Sequence, residues 1–264
     1  MASGKRWTRD ELLIALNIYH KLTFGQFHAR NPVIIELATK LDRTPDSLAM
    51  KLCNLASLDP ALKLRGIKGL EGASNLDRTI WEEFHSDLNE TVPDSENLLR
   101  NTFGADETNG VEIIPRKGVR IVKRPDLERT EVVTSAKQRR GQEYFRNAVL
   151  NNFAERCGVC GLNVRELLIA SHILPWNAHS KHRLDVRNGL SLSRLHDAAF
   201  DQGLIAFDDN LRLMLSPRLK DALPQRAVAE NFAAYEGEAL TLPDDSVLPE
   251  PSFLAKHRAK VFRL

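Results

Sequence analysis

One stretch of this sequence constrains the fold more than any other, because it alternates strand, turn and helix signals with polar residues at the junctions. The apolar run Leu167–Ile173 predicts a short strand, and His172 lies near its end. Asn188-Gly189 is typical of a turn that leads into a second strand. A short helix is expected over residues 196–201, and Gly203 is well placed to end it. The sequence therefore predicts two short strands followed by a helix.

The first sixty residues carry the start signals of three helices. Thr8 and Glu11 have the spacing of a capping box, in which each side chain satisfies a free backbone N–H group of the other residue. Asn31-Pro32 and Thr44-Pro45 each place a capping residue before a proline in the first turn. Residues 42–44 link the second helix to the third, and so tight a turn favours a helix-turn-helix.

Two residues of the predicted third helix, Lys51 and Asn54, lie off its apolar stripe. Lysine and asparagine suit contacts with DNA phosphates and base edges, so both residues are candidate DNA contacts. A small helical bundle with these two side chains on its solvated face explains the pattern equally well. Both interpretations stay open at this point.

The same region resembles a Myb/SANT-like trihelical DNA-binding domain, and it is also similar to N-terminal regions of some bacterial restriction-type endonucleases. The resemblance rests on three stretches, which are Trp7–Glu11 with its continuation to Tyr19, Leu41–Leu48, and Lys51-Leu52. It covers about a fifth of the chain. It implies that residues 1–60 form a helical domain that binds DNA.

Charge is distributed unevenly along the middle of the chain, although the net charge of the 264 residues is only +2. Residues 77–107 hold nine acidic and two basic residues, which leaves −7. Residues 116–146 hold ten basic and four acidic residues, which leaves +6. A basic stretch of this kind suggests a surface that meets a polyanion, and Arg139 and Arg140 are its candidate DNA contacts. A solvated linker is the alternative interpretation.

Residues 61–135 are predicted to be a transition between two domains. The composition of Pro93–Gly110 is that of a flexible linker. Val111–Val122 alternates enough for a strand, with Pro115 counting against it. The predicted organisation is thus a helical domain at residues 1–60, this linker or transition region, and a further domain at residues 136–264.

Composition excludes several other classes of protein. No apolar run approaches the ~18 residues that a membrane span needs, so we expect no membrane partner. The N-terminal residues become polar at once and lack the apolar core of a signal peptide. Three cysteines, an odd number, argue against a disulfide scaffold and fit a reducing compartment. A cytoplasmic location is the expectation.

Cys157 and Cys160 form a Cys-x2-Cys knuckle with glycines at positions 158 and 161. Such a knuckle supplies two thiolates of a zinc site, but a complete site needs four ligands and no second knuckle follows. Zinc would therefore require His or Asp partners that are distant in sequence. The alternative is a glycine-bearing turn whose two thiols pack inside the protein as small apolar groups.

Three motifs occur in the order that characterises the HNH nucleases, and the sequence is most similar to a bacterial restriction-type HNH subgroup. These motifs are Ser171-His172-Ile173-Leu174-Pro175-Trp176, Asn188-Gly189-Leu190, and Leu195-His196 continuing through Phe200-Asp201 to Gly203. The resemblance spans about seventy residues. It implies an α+β protein, in which an N-terminal helical bundle and a linker precede an HNH ββα-metal domain with flanking helices.

The resemblance also implies a role for each motif residue. His172 is the expected general base, because a neutral imidazole accepts a proton from water near neutral pH. Asn188 is expected to hold the loop and orient the His172 ring. His196 is the implied ligand of a divalent ion, with Mg²⁺ or Mn²⁺ expected, and Asp201 is a second candidate ligand. The imidazoles of His172 and His196 are then expected to converge on one shared cation.

One departure from the family pattern bears on the metal. Many HNH enzymes carry aspartate immediately before the base histidine, as a further metal ligand, whereas this sequence has Ser171 there. Serine is a poor ligand by comparison. Either His196, waters and another acidic residue hold the ion, or catalysis is weak.

Two functions follow as hypotheses. The first is a metal-dependent DNA endonuclease that acts on double-stranded DNA, in restriction or defence as the resemblance implies. A homodimer would give it two active sites for double-strand cutting. The second is a non-catalytic DNA-binding regulator that retains a degenerate HNH module. His172, Asn188 and His196 favour the first hypothesis, and Ser171 favours the second.

Overall fold

The computed structural model describes residues 5–106, 109–123 and 136–262, and mixes helices with short antiparallel strand pairs, as predicted for an α+β protein. The chain divides into two units, residues 1–148 and 149–264. The first unit contains helices α1 (Arg9–Tyr19), α2 (Pro32–Lys40), α3 (Pro45–Ala56), α4 (Pro60–Leu64), α5 (Asn75–Ser86) and α6 (Leu88–Phe103), and strands β1 (Asn109–Ile114) and β2 (Gly118–Lys123). Helix α7 (Ala136–Asn152) begins in the first unit and ends in the second.

The three predicted N-terminal helices form, and they begin where the capping signals stand. Thr8 and Glu11 make the reciprocal hydrogen bonds of a capping box at the start of α1. The side chains of Asn31 and Thr44 each accept a backbone N–H at the starts of α2 and α3. The apolar residues of these helices are buried and form the core of the first unit.

The predicted linker at Pro93–Gly110 is wrong for most of its length, because α6 occupies residues 88–103. Helix α6 packs against α1, and its Glu96 carboxylate makes a buried ion pair with the Lys21 ammonium, 2.6 Å away and two residues beyond the end of α1. Asn17 donates a further hydrogen bond to Glu96. Polar composition suggested a linker, but in this helix the polar residues pair inside the unit.

The single strand predicted at Val111–Val122 is a hairpin. Strands β1 and β2 pair antiparallel, with Ile114 opposite Gly118, and Pro115 stands in the turn between them. Gly118 has a φ of +95°, and an added Cβ would lie 2.0 Å from the Glu36 carboxylate, so glycine is required here. Residues 107–108 and 124–135 of the predicted transition region lie outside the described residues.

The second unit is built around a strand pair that carries a helix. Its elements are β3 (Leu168–His172), β4 (Gly189–Ser193), α8 (Arg194–Asp201), β5 (Ile205–Phe207), β6 (Leu213–Leu215), α9 (Pro217–Lys220), α10 (Arg226–Asn231) and α11 (Pro251–Lys260). Strand β3 pairs antiparallel with β4, and β5 with β6. Helix α8 packs on β3, β4 and β5, and α11 contacts β5. In the described parts of both units, no helix is both long enough and apolar enough to cross a membrane.

Candidate active site and metal-binding cluster

The predicted strand, turn and helix form a ββα arrangement. Strands β3 and β4 make a two-stranded ribbon, and α8 follows β4 without a loop and packs across both strands. The pairing places His172 opposite Gly189 at one end of the ribbon and Leu168 opposite Ser193 at the other. The four residue steps between these pairs correspond to about 13 Å along the ribbon.

His172 is half-buried at its end of the ribbon, with a defined tautomer. Its Nε2 lies 2.9 Å from the carbonyl oxygen of Arg183. Because a carbonyl oxygen only accepts, Nε2 carries the hydrogen, and the lone pair of the neutral ring is on Nδ1. Burial lowers the pKa of His172; the Arg183 carbonyl opposes this shift and the nearby Arg183 guanidinium reinforces it. The imidazole is therefore neutral near pH 7.

Asn188 is fully buried, and its side chain ties together the two ends of the loop that follows His172. Its Oδ1 accepts the backbone N–H of Leu174 at 2.8 Å. Its Nδ2 donates to the carbonyl oxygens of Leu174 and His182, at 3.2 Å and 3.0 Å. The backbone carbonyl of Asn188 also accepts the N–H of Ile173 at 2.9 Å. These bonds hold the chain on both sides of the loop that contains Trp176.

Trp176 contacts His172 directly and was not among the predicted site residues. The two rings meet edge to face, with centroids 5.3 Å apart, and the Arg183 guanidinium lies 5.1 Å from the Trp176 ring centroid. Trp176 thus contacts both His172 and the Arg183 guanidinium, and the backbone oxygen of Arg183 lies at His172 Nε2. The signal was available, because Trp176 ends the motif that begins at Ser171.

Asp197 follows His196 on α8 and was not among the predicted site residues. Burial raises its pKa, while the neighbouring Ser171 hydroxyl and Arg194 guanidinium lower it in part. Asp197 therefore lies beside the residue that precedes His172. Asp201, one helical turn later on the exposed side of α8, has a pKa raised by burial and by the Asp197 carboxylate. The two aspartates form an i, i+4 acidic pair on the helix.

His196 lies in a different environment from His172. Its Nδ1 is 2.8 Å from Ser193 Oγ and 3.6 Å from Cys157 Sγ, and its Nε2 is 2.8 Å from the carbonyl oxygen of Asn231. All these partners belong to the Ser193 end of the ribbon or beyond it. The printed contacts of both His196 ring nitrogens are thus with Ser193, Cys157 and Asn231, and the expected convergence of His172 and His196 on one cation stays a prediction.

Cys157, Cys160 and His196 form a cluster that could hold a metal ion. One ligand atom from each residue lies within 4.8 Å of the other two. Cys157 and His196 are buried, and Cys160 is half-buried. The Cys160 thiol, His196 and two backbone N–H groups lower the pKa of Cys157, against burial, which raises it. Hydrogen bonding to Cys157 raises the pKa of Cys160. The pair is thus arranged to carry a thiolate at Cys157.

The predicted DNA contacts in the first unit lie in different environments. Lys51 is buried, and its ammonium contacts both carboxylate oxygens of Asp77 at 2.8 Å, so it is not on a solvated face of α3 as expected. Asn54 is half-buried and lies beside the loop at Gly72. Arg139 is exposed and Arg140 is half-buried on α7. The first turn of α5 covers the part of α3 that carries Lys51, because Asp77 lies on that turn.

Comparison with known protein families confirms the predicted family for this segment. Residues 157–208 match the family model described as HNH endonuclease, and this range contains the cysteine knuckle, the ribbon and α8. The second unit therefore carries a domain of the HNH endonuclease family. No curated protein is significantly similar to the chain. The resemblance of residues 1–60 to Myb/SANT-like domains stays a prediction.

Proposed function

We propose that this protein is a metal-dependent endonuclease that hydrolyses phosphodiester bonds in DNA, with His172 as the general base. The observation that carries the proposal is the fixed tautomer of His172 within the segment that matches the HNH family. The N–H on Nε2 is held by a backbone carbonyl, which leaves Nδ1 basic. A base with a lowered pKa is also neutral over the physiological range.

In the proposed reaction, Nδ1 of His172 accepts a proton from a water molecule as the water oxygen attacks phosphorus. The bond between phosphorus and the leaving oxygen of the sugar breaks, and that oxygen departs with the bonding electron pair. Asn188 and Trp176 position the base, because the first holds the loop beyond it and the second packs on its ring. General-base catalysis of this kind contributes about 10²- to 10⁴-fold.

Asp197 and Asp201 would hold a divalent ion such as Mg²⁺ or Mn²⁺ in this proposal. The donor set fits, since hard divalent ions prefer carboxylate oxygens and the Asp197 carboxylate raises the pKa of Asp201, as a neighbouring like charge does. The buried Ser171 hydroxyl lies beside Asp197 and lowers the pKa of its carboxyl in part. When bound, such an ion neutralises charge on the phosphate and the leaving oxygen.

DNA binding is proposed to involve basic residues of the first unit. On the β1–β2 hairpin, Arg116, Lys117, Arg120 and Lys123 are exposed, as is Arg139 on α7. Contacts of such residues with phosphates would make the affinity fall with rising salt. The role in restriction or defence is carried over from the motif resemblance, as is cleavage of double-stranded DNA.

The test is cleavage of supercoiled plasmid by the purified full chain with Mg²⁺, Mn²⁺ or Ni²⁺. We expect nicking that requires a divalent ion, and its loss in His172→Ala. His28→Ala is the matched control, because it removes an exposed histidine of the first unit. Equal nicking by His172→Ala and the wild type would contradict the assigned base. Duplex binding without cleavage under any metal would support the alternative of a non-catalytic regulator.

A second experiment separates the two classes of predicted DNA contact. Arg139→Ala should weaken duplex binding a few-fold and reduce the slope of log affinity against log salt by about 1. Lys51→Ala should leave that slope unchanged and should lower the melting temperature, because it strands the buried Asp77 carboxylate. Fluorescence anisotropy at several salt concentrations measures the first effect. A reduced slope in Lys51→Ala would contradict the structural role of Lys51.

A further inference from the structure

We propose that Cys157, Cys160 and His196 bind a structural Zn²⁺ ion at the Ser193 end of the ribbon, separate from the catalytic centre at His172. The donor atoms of these three residues lie within 4.8 Å of one another, which is the separation that ligands of a single ion require. Thiolates and imidazole are the donors that zinc prefers, and they are poor ligands for Mg²⁺. The inference concerns a second metal and a second role, so it does not depend on nuclease activity.

The knuckle that carries the two thiols is rigid. Cys157 donates its backbone N–H to the carbonyl oxygen of Leu162 at 2.8 Å, and Gly161 donates to the carbonyl oxygen of Cys157 at 2.9 Å. Gly161 has a φ of +71°, and an added Cβ on Gly158 would lie 2.9 Å from the Phe153 ring. Both glycines are therefore required by the turn, which brings the two sulfurs to the same side.

The ring of His196 is oriented so that its Nδ1 lies near both the Ser193 hydroxyl and the Cys157 sulfur. Its Nε2 must donate to the carbonyl oxygen of Asn231, so the neutral ring is basic at Nδ1, the atom that lies 3.6 Å from Cys157 Sγ. Metal-binding histidines commonly donate their second N–H to a carbonyl in this way. Phe232 and Tyr235 contact the ring at 5.4 Å and 6.2 Å between centroids and restrict its rotation.

A fourth ligand is available from Ser193 or from a water molecule. Ser193 Oγ lies 2.8 Å from His196 Nδ1, and Ser193 is itself buried as the N-cap of α8. An ion at this point would join the knuckle, the first turn of α8 and, through Asn231, the end of α10. These segments come from three separate parts of the chain, so the ion would stabilise the ribbon end opposite His172.

The test measures bound zinc in the full chain and in matched variants, without reference to cleavage. Wild-type protein, purified in a reducing buffer without chelator, should contain about one zinc per chain, as found by inductively coupled plasma mass spectrometry. Cys160→Ser and His196→Ala should lower the zinc content at least tenfold. Cys53→Ser, in the first unit, and His172→Ala should both retain it.

Cobalt substitution provides a second measurement, which uses the wild-type protein and so does not require the ligand variants to be expressed. Co²⁺ added to zinc-free wild-type protein should give the sulfur-to-metal charge-transfer band and the intense visible bands of a tetrahedral thiolate site. The Cys53→Ser protein should give the same spectrum. Zinc should also raise the melting temperature of the zinc-free wild type.

Three results would overturn the inference. These are a wild-type protein that takes up no zinc, a cobalt complex without a thiolate band, and a Cys157–Cys160 disulfide in protein kept reduced. Because His172→Ala should keep its zinc, loss of cleavage in that variant tests the proposed function alone. Zinc present in a protein that never cleaves DNA would refute the nuclease and leave the zinc site standing.

Discussion

The two ends of the β3–β4 ribbon carry the same kind of residue in opposite surroundings. At one end His172 is half-buried next to a loop, and Asp197 lies beside Ser171, the residue that precedes His172. At the other end His196 is only 1% exposed and lies among two cysteines, a serine and two aromatic rings. Sulfur and nitrogen donors thus gather at the second end.

This difference teaches that the surroundings of a histidine, and not only its place in a sequence motif, indicate which chemistry it suits. Both rings are oriented by a backbone carbonyl at Nε2, so both present Nδ1. What differs is their burial and surroundings, because His172 is half-buried whereas His196 is buried beside Ser193 and Cys157. A neutral base suits proton transfer, whereas a buried imidazole beside thiols suits a structural ion. The predictions below test this division, from the largest effect to the smallest.

The largest expected effect is the contrast between His172→Ala and His196→Ala. We expect the first variant to lose about 10²- to 10⁴-fold of the nicking rate, as for a removed general base, with a nearly unchanged melting temperature. We expect the second to be destabilised, by about 2–4 kcal/mol, because it leaves a cavity beside Cys157 and strands the Asn231 carbonyl. Plasmid nicking and thermal unfolding of both proteins provide the measurements. Equal loss of stability in the two variants would contradict the assignment of a structural role to His196 and not to His172.

The second effect concerns the acidic pair. Asp197→Asn should lower nicking at least tenfold and raise the concentration of Mg²⁺ or Mn²⁺ needed for half-maximal rate, since it removes the carboxylate nearest Ser171. Asp201→Asn should do the same more weakly, because Asp201 is more exposed. Asp221→Asn, an exposed aspartate of the same unit, is the control. Zinc content should be unchanged in all three proteins. A fall in the zinc content of Asp197→Asn would indicate that the two groups of residues form one metal site.

The third effect concerns Asn188. Asn188→Ala should lower the free energy of unfolding by about 2–4 kcal/mol, because three backbone groups lose their partner inside the protein. The nicking rate should fall too, since the loop that packs against His172 is released. At the other end, Ser193→Ala should cost about 1 kcal/mol, the usual value for a lost N-cap. Urea denaturation measures both, and an Asn188→Ala protein of full activity would contradict the positioning role.

The smallest effect is on pH dependence. Since burial lowers the pKa of His172, the nicking rate at saturating metal should decline on the acid side only below about pH 6.5, the ordinary value. The rate falls toward acid pH because only the neutral ring of His172 accepts a proton. Because burial raises the pKa values of Asp197 and Asp201, protons should compete with the metal at higher pH than for ordinary carboxylates. An acid limb centred above pH 7 would argue against His172 as the base.

Much of the local structure could be predicted from the sequence. The capping residues Thr8, Asn31 and Thr44 marked the starts of α1 to α3 correctly, because capping depends on neighbours in the chain. The strand, turn and helix at residues 168–201 were also predicted from local sequence patterns. The family match confirms the resemblance of this segment to the HNH nucleases. Helix α6 was missed, because its Glu96 finds partners that are distant in sequence, Asn17 on α1 and Lys21 just beyond it.

The amino-acid sequence alone thus determined where along the chain the two ribbon strands and the helix after them form. The tertiary structure decided that His196 lies beside Cys157 and that the adjacent Asp197 lies beside Ser171. The reason is that neighbours on a helix point about 100° apart, so the packing of α8 assigns their directions. It also decided that Lys51 pairs with Asp77, since burial depends on which element covers a helix face and not on the pattern of the helix itself.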